Sequence, residues 1–139
     1  MEEIKILCVD DEKNVLRSLE RLFMDEPYTV LTTDTSSAGL AILEKQLCQI
    51  VLSDYRMPEM TGVDFLREVR KRWPDTVRIV LSGYADVASI VSAVNEGEIY
   101  KFIPKPWNDD ELKVTIANAI DKYRLQHENR RLAEALLDK

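Results

Sequence analysis

Aspartates punctuate the apolar runs of this sequence. Asp10 and Asp11 follow Ile6-Leu7-Cys8-Val9, and Asp54 follows Ile50-Val51-Leu52-Ser53. Two further runs end on other polar groups, Ile79-Val80-Leu81 on Ser82 and Phe102-Ile103-Pro104 on Lys105. In an open parallel sheet every strand delivers its C-terminal end to one edge, where ligands bind. Three carboxylates brought to that edge repel one another unless a cation neutralises them or a proton is taken up. Mg²⁺ suits such a cluster, because it takes carboxylate and water oxygens in octahedral geometry at about 2.0–2.1 Å. With a lysine and a hydroxyl beside it, the same set suits a phosphoryl group, whose transfer needs concentrated positive charge. A nucleophilic carboxylate at the centre would carry that group as an aspartyl phosphate.

Such a cluster needs elements that alternate. Strand-length apolar runs near 4–9, 28–33, 50–53, 77–81 and 99–103 are separated by segments of helical period near 13–24, 35–46, 62–72, 86–96 and from 109 onward. The first helix carries Val15, Leu16, Leu19, Leu22 and Phe23 on one stripe, the spacing of a face laid on a sheet. The fourth carries Val87, Ile90, Val91 and Val94 between Asp86 and Gly97, which read as its caps. Strict alternation with continuous apolar strands predicts an α/β fold with a doubly wound parallel sheet covered on both faces. Gathering the first and third strand ends at one crevice requires the flavodoxin-like order 2-1-3-4-5.

The last helix is expected to outrun its domain. No proline or glycine interrupts residues 109–139, so it would extend roughly 45 Å at about 1.5 Å per residue. Leu112, Val114, Ile116, Ala119 and Ile120 are read as packing on the sheet. Beyond them Leu125 and Leu132 fall at d positions and Asn129 and Leu136 at a positions of a short heptad seam. The chain therefore divides into a domain over 1–122 and a helical extension over 123–139, the start of a linker or coiled coil.

Composition narrows the function classes. The 139 residues are 45% apolar and 32% charged, as in a soluble globular domain. The net charge of −6 and the lack of a basic stripe argue against a nucleic-acid surface. Cys8 and Cys48 lie among apolar residues without metal-ligand spacing and read as buried thiols in a reducing compartment. No apolar stretch approaches the ~20 residues of a membrane span, and no leader is expected before the first strand. A cytoplasmic location is expected.

Four motifs in this order carry a resemblance: Val9-Asp10-Asp11-Glu12, Ser53-Asp54-Tyr55-Arg56-Met57-Pro58-Glu59-Met60-Thr61-Gly62, Leu81-Ser82-Gly83-Tyr84-Ala85 and Ile103-Pro104-Lys105-Pro106-Trp107. Over residues 4 to about 122 the chain resembles the receiver domain of bacterial two-component response regulators. The resemblance implies that Asp54 accepts a phosphoryl group from a sensor histidine kinase or phosphotransfer protein. Asp10, Asp11, Asp54 and the backbone carbonyl of Arg56 would hold Mg²⁺. Lys105 would pair with the phosphoryl oxygens, Ser82 would move to hydrogen-bond them, and Phe102 would be the aromatic switch. Lys105–Pro106 would be a cis peptide. Arg56 and Tyr84, two residues after Asp54 and Ser82, would flank the path of hydrolytic water and tune the lifetime. The face of helix 4, strand 5 and helix 5 would dimerise, with the tail helix, or meet an output domain. Residues 81–86 and 100–107 resemble receivers joined to cyclic-di-GMP phosphodiesterase domains or to AAA+ activators.

Each residue also has an ordinary reading. Asp11 would serve as N-cap of the first helix, Lys105 as a surface charge, and Phe102 as core, with Tyr100 a competing aromatic. Trp107 is read as packing, and His127 lies too far along the tail to be the phosphodonor. A Mg²⁺-dependent phosphatase with an aspartate nucleophile is the alternative function. It needs a second aspartate two residues after the nucleophile, where this chain has Arg56. A dinucleotide-binding domain would need glycines after the first strand, where the chain reads Asp10-Asp11-Glu12-Lys13-Asn14. The expectation is a switch that is not an enzyme and loses its own phosphoryl group by hydrolysis.

Overall fold

The computed structural model describes residues 3–83 and 87–137. Five parallel strands, β1 (Ile4–Val9), β2 (Tyr28–Thr33), β3 (Ile50–Asp54), β4 (Val77–Ser82) and β5 (Lys101–Pro104), form one sheet in the order β2-β1-β3-β4-β5. Every residue of β3 is buried, and β1 and β4 each hold only one half-buried position. Strands covered on both faces need no polar alternation. Ile4, Ile6, Cys8, Ile50, Leu52, Val77, Ile79 and Leu81 fill one side; Leu7, Val9, Val51 and Val80 fill the other. Register then aligns the strand ends, with Val9 beside Ser53, Asp54 beside Leu81, and Ser82 beside Pro104.

Helices α1 (Lys13–Leu22) and α5 (Asp109–Leu137) cover the first side, and α2 (Ser36–Lys45), α3 (Gly62–Arg72) and α4 (Val87–Asn95) cover the second. The stripe read on α1 is the packed one, with Leu16, Leu19 and Phe23 buried and Val15 and Leu22 resting against them. The stripe read on α4 is displaced. Ile90 and Ala93 face inward, whereas Val91 is 47% exposed. A β-branched residue beside the true stripe is indistinguishable from one inside it when only period is read. The cap expected at Asp86 lies outside the described residues. Gly97 does close α4 in a left-handed conformation (φ 76°), with Gly97 N donating to Val94 O at 3.0 Å and Glu98 N to Ala93 O at 2.9 Å, a Schellman pair.

Strand β5 begins at Lys101, two residues later than its apolar run suggests. Just before it, Tyr100 N donates to Arg78 O at 2.7 Å, while Arg78 Nε donates to the Glu98 carbonyl at 2.9 Å and Nη2 to the Gly97 carbonyl at 3.3 Å. Burial pushes the Arg78 pKa down to about 10, with nearby Arg70 adding to the effect.

Helix α5 runs without a break, as its sequence suggests. Leu112, Thr115, Ile116, Ala119, Ile120 and Tyr123 are buried. Val114, read as core, is 60% exposed, because its position points away from the stripe that the sheet covers. The body's hold also continues past residue 122. The Tyr123 and His127 rings stack at 5.6 Å. Arg130 Nε donates to both oxygens of Asp75 at 3.0 and 3.1 Å, and its Nη2 lies 2.9 Å from Asp75 Oδ1. Asp75 belongs to the turn before β4, so this strap sits at the N-terminal edge of the sheet. Leu125, Leu132 and Leu136 are exposed, and the 3.6-residue period sets them on the opposite side of the helix from Tyr123, His127 and Arg130.

The strap predicts a local effect. In Arg130→Ala, amide exchange over residues 127–137 should quicken several-fold while the melting temperature of the domain stays near the parent's. Unchanged exchange there would show that the extension holds itself straight without Asp75.

Candidate functional site

The strand ends assemble one acidic cluster. Asp10 and Asp54 are buried and Asp11 is exposed, and one carboxylate oxygen from each lies within 4.8 Å of the others. Lys105 Nζ sits between two of them, 2.8 Å from Asp10 Oδ2 and 2.9 Å from Asp54 Oδ1. Its backbone N donates to Ser82 O at 2.9 Å, and the Lys105–Pro106 peptide is cis, as expected. Asp11 does not cap α1. The N-cap is Glu12, whose side chain makes no capping bond, and Glu12 N donates instead to Asp10 Oδ1 at 2.9 Å. Both Asp10 oxygens are thereby engaged, and Asp11 is left to the cluster.

The electrostatics follow from this packing. Burial raises the Asp54 pKa above its ordinary 3.8, the charges of Asp10 and Asp11 add to the rise, and Lys105 opposes it. Burial alone would lower the Lys105 pKa, but its hydrogen bonds to Asp10 and Asp54 outweigh that and hold it above the usual lysine value. Three carboxylates against one ammonium leave two negative charges. An all-oxygen cluster carrying that excess fits a hard divalent cation, Mg²⁺ among them.

Not all of the other expected residues join the cluster. Ser82 is buried and its Oγ donates to the Gly83 carbonyl at 2.9 Å. Arg56 is exposed on the loop over residues 55–61. Phe102 is half-buried on β5 and shares an apolar cluster with Met57 of that loop. Tyr100, the competing aromatic, packs into the cluster on the opposite face of the sheet, 5.5 Å from Lys122 Nζ. Trp107 packs as expected and donates Nε1–H to Asp109 at 3.0 Å. His127 stands beside Asp75, at the other edge from the carboxylates. Tyr84 lies outside the described residues.

Two contributors carry no obvious chemistry in the sequence. Gly62 starts α3 so close to Asp54 that a Cβ there would lie 2.1 Å from the Asp54 carbonyl oxygen, so any side chain would push on the backbone of that aspartate. The signal was available as a glycine at a helix start within the motif. Ser53 Oγ donates to the Asp54 carbonyl at 3.0 Å, and nothing in its type or spacing announces this.

Residues 6–117 match the family model of the response regulator receiver domain. The chain is 45% identical over 127 residues to the hydrogenase transcriptional regulatory protein HoxA of Cupriavidus necator, across 91% of this chain and 26% of that protein. The solved signal receiver domain of an HD domain-containing protein from Pseudomonas fluorescens Pf-5 has a TM-score of 0.87 at 32% identity, covering 92% of this chain and 94% of that one. The beryllofluoride-activated NtrC4 receiver domain dimer has a TM-score of 0.80 at 29% identity, covering 86% and 98%. The chain spans about a quarter of the length of the curated relatives it matches. These matches leave the phosphatase alternative without support.

Because the Asp54 pKa is raised in the fold, the folded state binds that proton more tightly than the unfolded one. The stability this group contributes is present below its ordinary 3.8 and lost as pH rises through the raised value. Without a divalent cation, Asp54→Asn should therefore melt above the parent at pH 7, and its lead should shrink as pH falls toward about 4. A parent that melts as high as the variant at neutral pH would contradict this.

Proposed function

The chain belongs to the response regulator receiver domain family, a family of phosphoacceptor switches, and on that premise we propose that Asp54 is its phosphorylation site. The observation that carries the assignment is the Lys105 ammonium shared between Asp10 Oδ2 and Asp54 Oδ1. Asp10 has both oxygens engaged, by Lys105 and by Glu12 N, and Asp11 lies nearer solvent. An Asp54 oxygen attacks phosphorus as the bond to the donor breaks, and the charge on the transferring oxygens must be met at once. Lys105 meets it by moving its Asp54 hydrogen bond to a phosphoryl oxygen while keeping Asp10. Ser82 Oγ gives up the Gly83 carbonyl and donates to a second oxygen. Phe102 then repacks against the space Ser82 vacates, which makes the pair the switch.

Asp10, Asp11, Asp54 and the backbone carbonyl of Arg56 would hold Mg²⁺, which when bound offsets charge on the carboxylates and phosphoryl oxygens. By their sequence positions, two residues after Asp54 and Ser82, Arg56 and Tyr84 are the expected lifetime-tuning residues toward hydrolytic water. Neither side chain offers a carboxylate or amide to orient that water, so loss of the phosphoryl group should be slow. A sensor histidine kinase or phosphotransfer protein is the expected donor, in keeping with this family. An output domain in a longer regulator is the expected receiver of the signal, because the matched relatives are about four times as long. The surface of α4, β5 and α5, continued by Leu125, Leu132 and Leu136, is the expected homodimer face.

Incubation with a small phosphodonor and Mg²⁺ should add one labile phosphoryl group to the parent and none to Asp54→Asn, read by intact mass. Full labelling of the variant would move the site elsewhere. Truncation after Tyr123 should weaken self-association of the phosphorylated chain in sedimentation. If both lengths associate alike, the leucine seam is a passive linker face.

A further inference from the structure

Glu59 reaches out of the loop that follows β3 and closes on the start of α2. Its Oε1 accepts from Ser37 N at 3.2 Å, Ser37 Oγ at 3.0 Å and Ser36 Oγ at 3.3 Å. The first N–H groups of a helix have no partner within it, and the helix dipole favours a carboxylate there. Thr35 Oγ1 accepts from Ala38 N at 3.2 Å, so Thr35 and Glu59 cap α2 together, one from its own chain segment and one from across the fold. The Ser37 N–H, followed by the Ser37 hydroxyl, holds the Glu59 carboxyl below the usual carboxylate range.

The loop is tied at its ends by backbone. Tyr55 N donates to Leu81 O at 2.9 Å and Gly62 N to Tyr55 O at 2.7 Å. Between these ties, Met57 and Met60 rest against the apolar cluster. Apolar contacts are non-directional, so they set how deep the loop lies without setting its rotation. Directional bonds to a rigid neighbour can set it. Helix α2 is such a neighbour, since Leu43 is buried and Gly39 lies so close to α3 that a Cβ would sit 3.1 Å from the Phe65 ring.

We propose that Glu59 is a positioning residue for the cation site: by tying the loop to α2, it holds the Arg56 carbonyl toward Asp10, Asp11 and Asp54. The proposal rests on the reading of Arg56 given above. Glu59 touches neither cation nor phosphoryl group. It acts through Met57 and Pro58, the two residues that separate it from Arg56, and its own anchors, Ser36 and Ser37, lie more than twenty positions upstream.

The test is Mg²⁺ titration followed by melting temperature, with amide exchange measured in the absence of metal. Glu59→Ala should melt near the parent when no cation is present, yet need about tenfold more Mg²⁺ to reach half of the stabilisation, the low end of what loss of an outer-sphere partner costs a metal site. Exchange over residues 36–38 and 56–60 should quicken in the same variant. Glu59→Gln, which keeps an acceptor of the same reach, should recover part of the affinity. A Glu59→Ala midpoint equal to the parent's overturns the positioning role, whatever happens to exchange. A parent that does not respond to Mg²⁺ removes the cation site itself and this proposal with it.

Discussion

Asp10 and Asp54 are both withdrawn from water and both drawn to one ammonium, and the rest of the fold serves to keep them there. Two unit charges at the separations found in this cluster repel by about 3–4 kcal/mol at an effective dielectric near 20. A flexible chain would relieve that by moving apart. The parallel sheet prevents it, because register fixes Val9 beside Ser53 and so fixes the residues that follow each. Gly62 closes the floor beneath Asp54, and the Glu12 N–H occupies the Asp10 oxygen that Lys105 does not. The result is a site whose resting state carries unrelieved negative charge. On the proposed reading, such a site would respond strongly to an added cation, and to a phosphoryl group that draws Lys105 away.

That strain lies at one edge of the sheet, and the strap on the long helix lies at the other. Asp75 holds Arg130 just before β4 begins, whereas Ser82 ends the same strand beside the acidic cluster. β4 therefore connects the two edges directly. The extension leaves the domain in a fixed direction, with Tyr123 buried, His127 stacked on it and the leucine seam turned outward. A helix held this way transmits orientation as well as proximity. A short seam of leucines gains little by itself, but it is presented at a set angle to the domain that carries the switch.

The sheet order and the carboxylate cluster were legible because both depend on one readable pattern, an apolar run ending in a polar group. Lys105 was legible for the same reason. What escaped were contacts set by distance in space. The Arg78 guanidinium meets the carbonyls of Gly97 and Glu98 across 19 and 20 positions, and no apolar run records that contact. Arg130 meets Asp75 across 55 positions and Glu59 meets Ser37 across 22. Val91 and Val114 were misassigned because period alone fixes a stripe only to within one side chain, and their helices have one face open. Asp11 as a cap failed because Glu12 takes the N-cap position instead, with its N–H held by the Asp10 carboxylate.

The least restrained side of the sheet is also the side nearest the proposed switch pair. β5 is an edge strand of four residues, with only Ile103 fully buried. Helix α4 buries Ile90 and Ala93 and leaves Val91 in solvent. By contrast, α3 sinks Val63, Phe65, Leu66 and Val69 into the core. Few buried apolar groups mean that a segment opens at low cost. On the proposed reading, a shift of Ser82 toward an anion therefore meets less resistance on the β5 side than on the β3 side, where Val63 is buried and Met57 of the loop packs against the core. Phe102 is half-buried at that boundary, so it is free to repack without opening the core. On the proposed reading, the stiffness of β3 and the looseness of β5 are two halves of one device: the first holds the carboxylates against their repulsion, and the second would give the relief of that repulsion a direction in which to move.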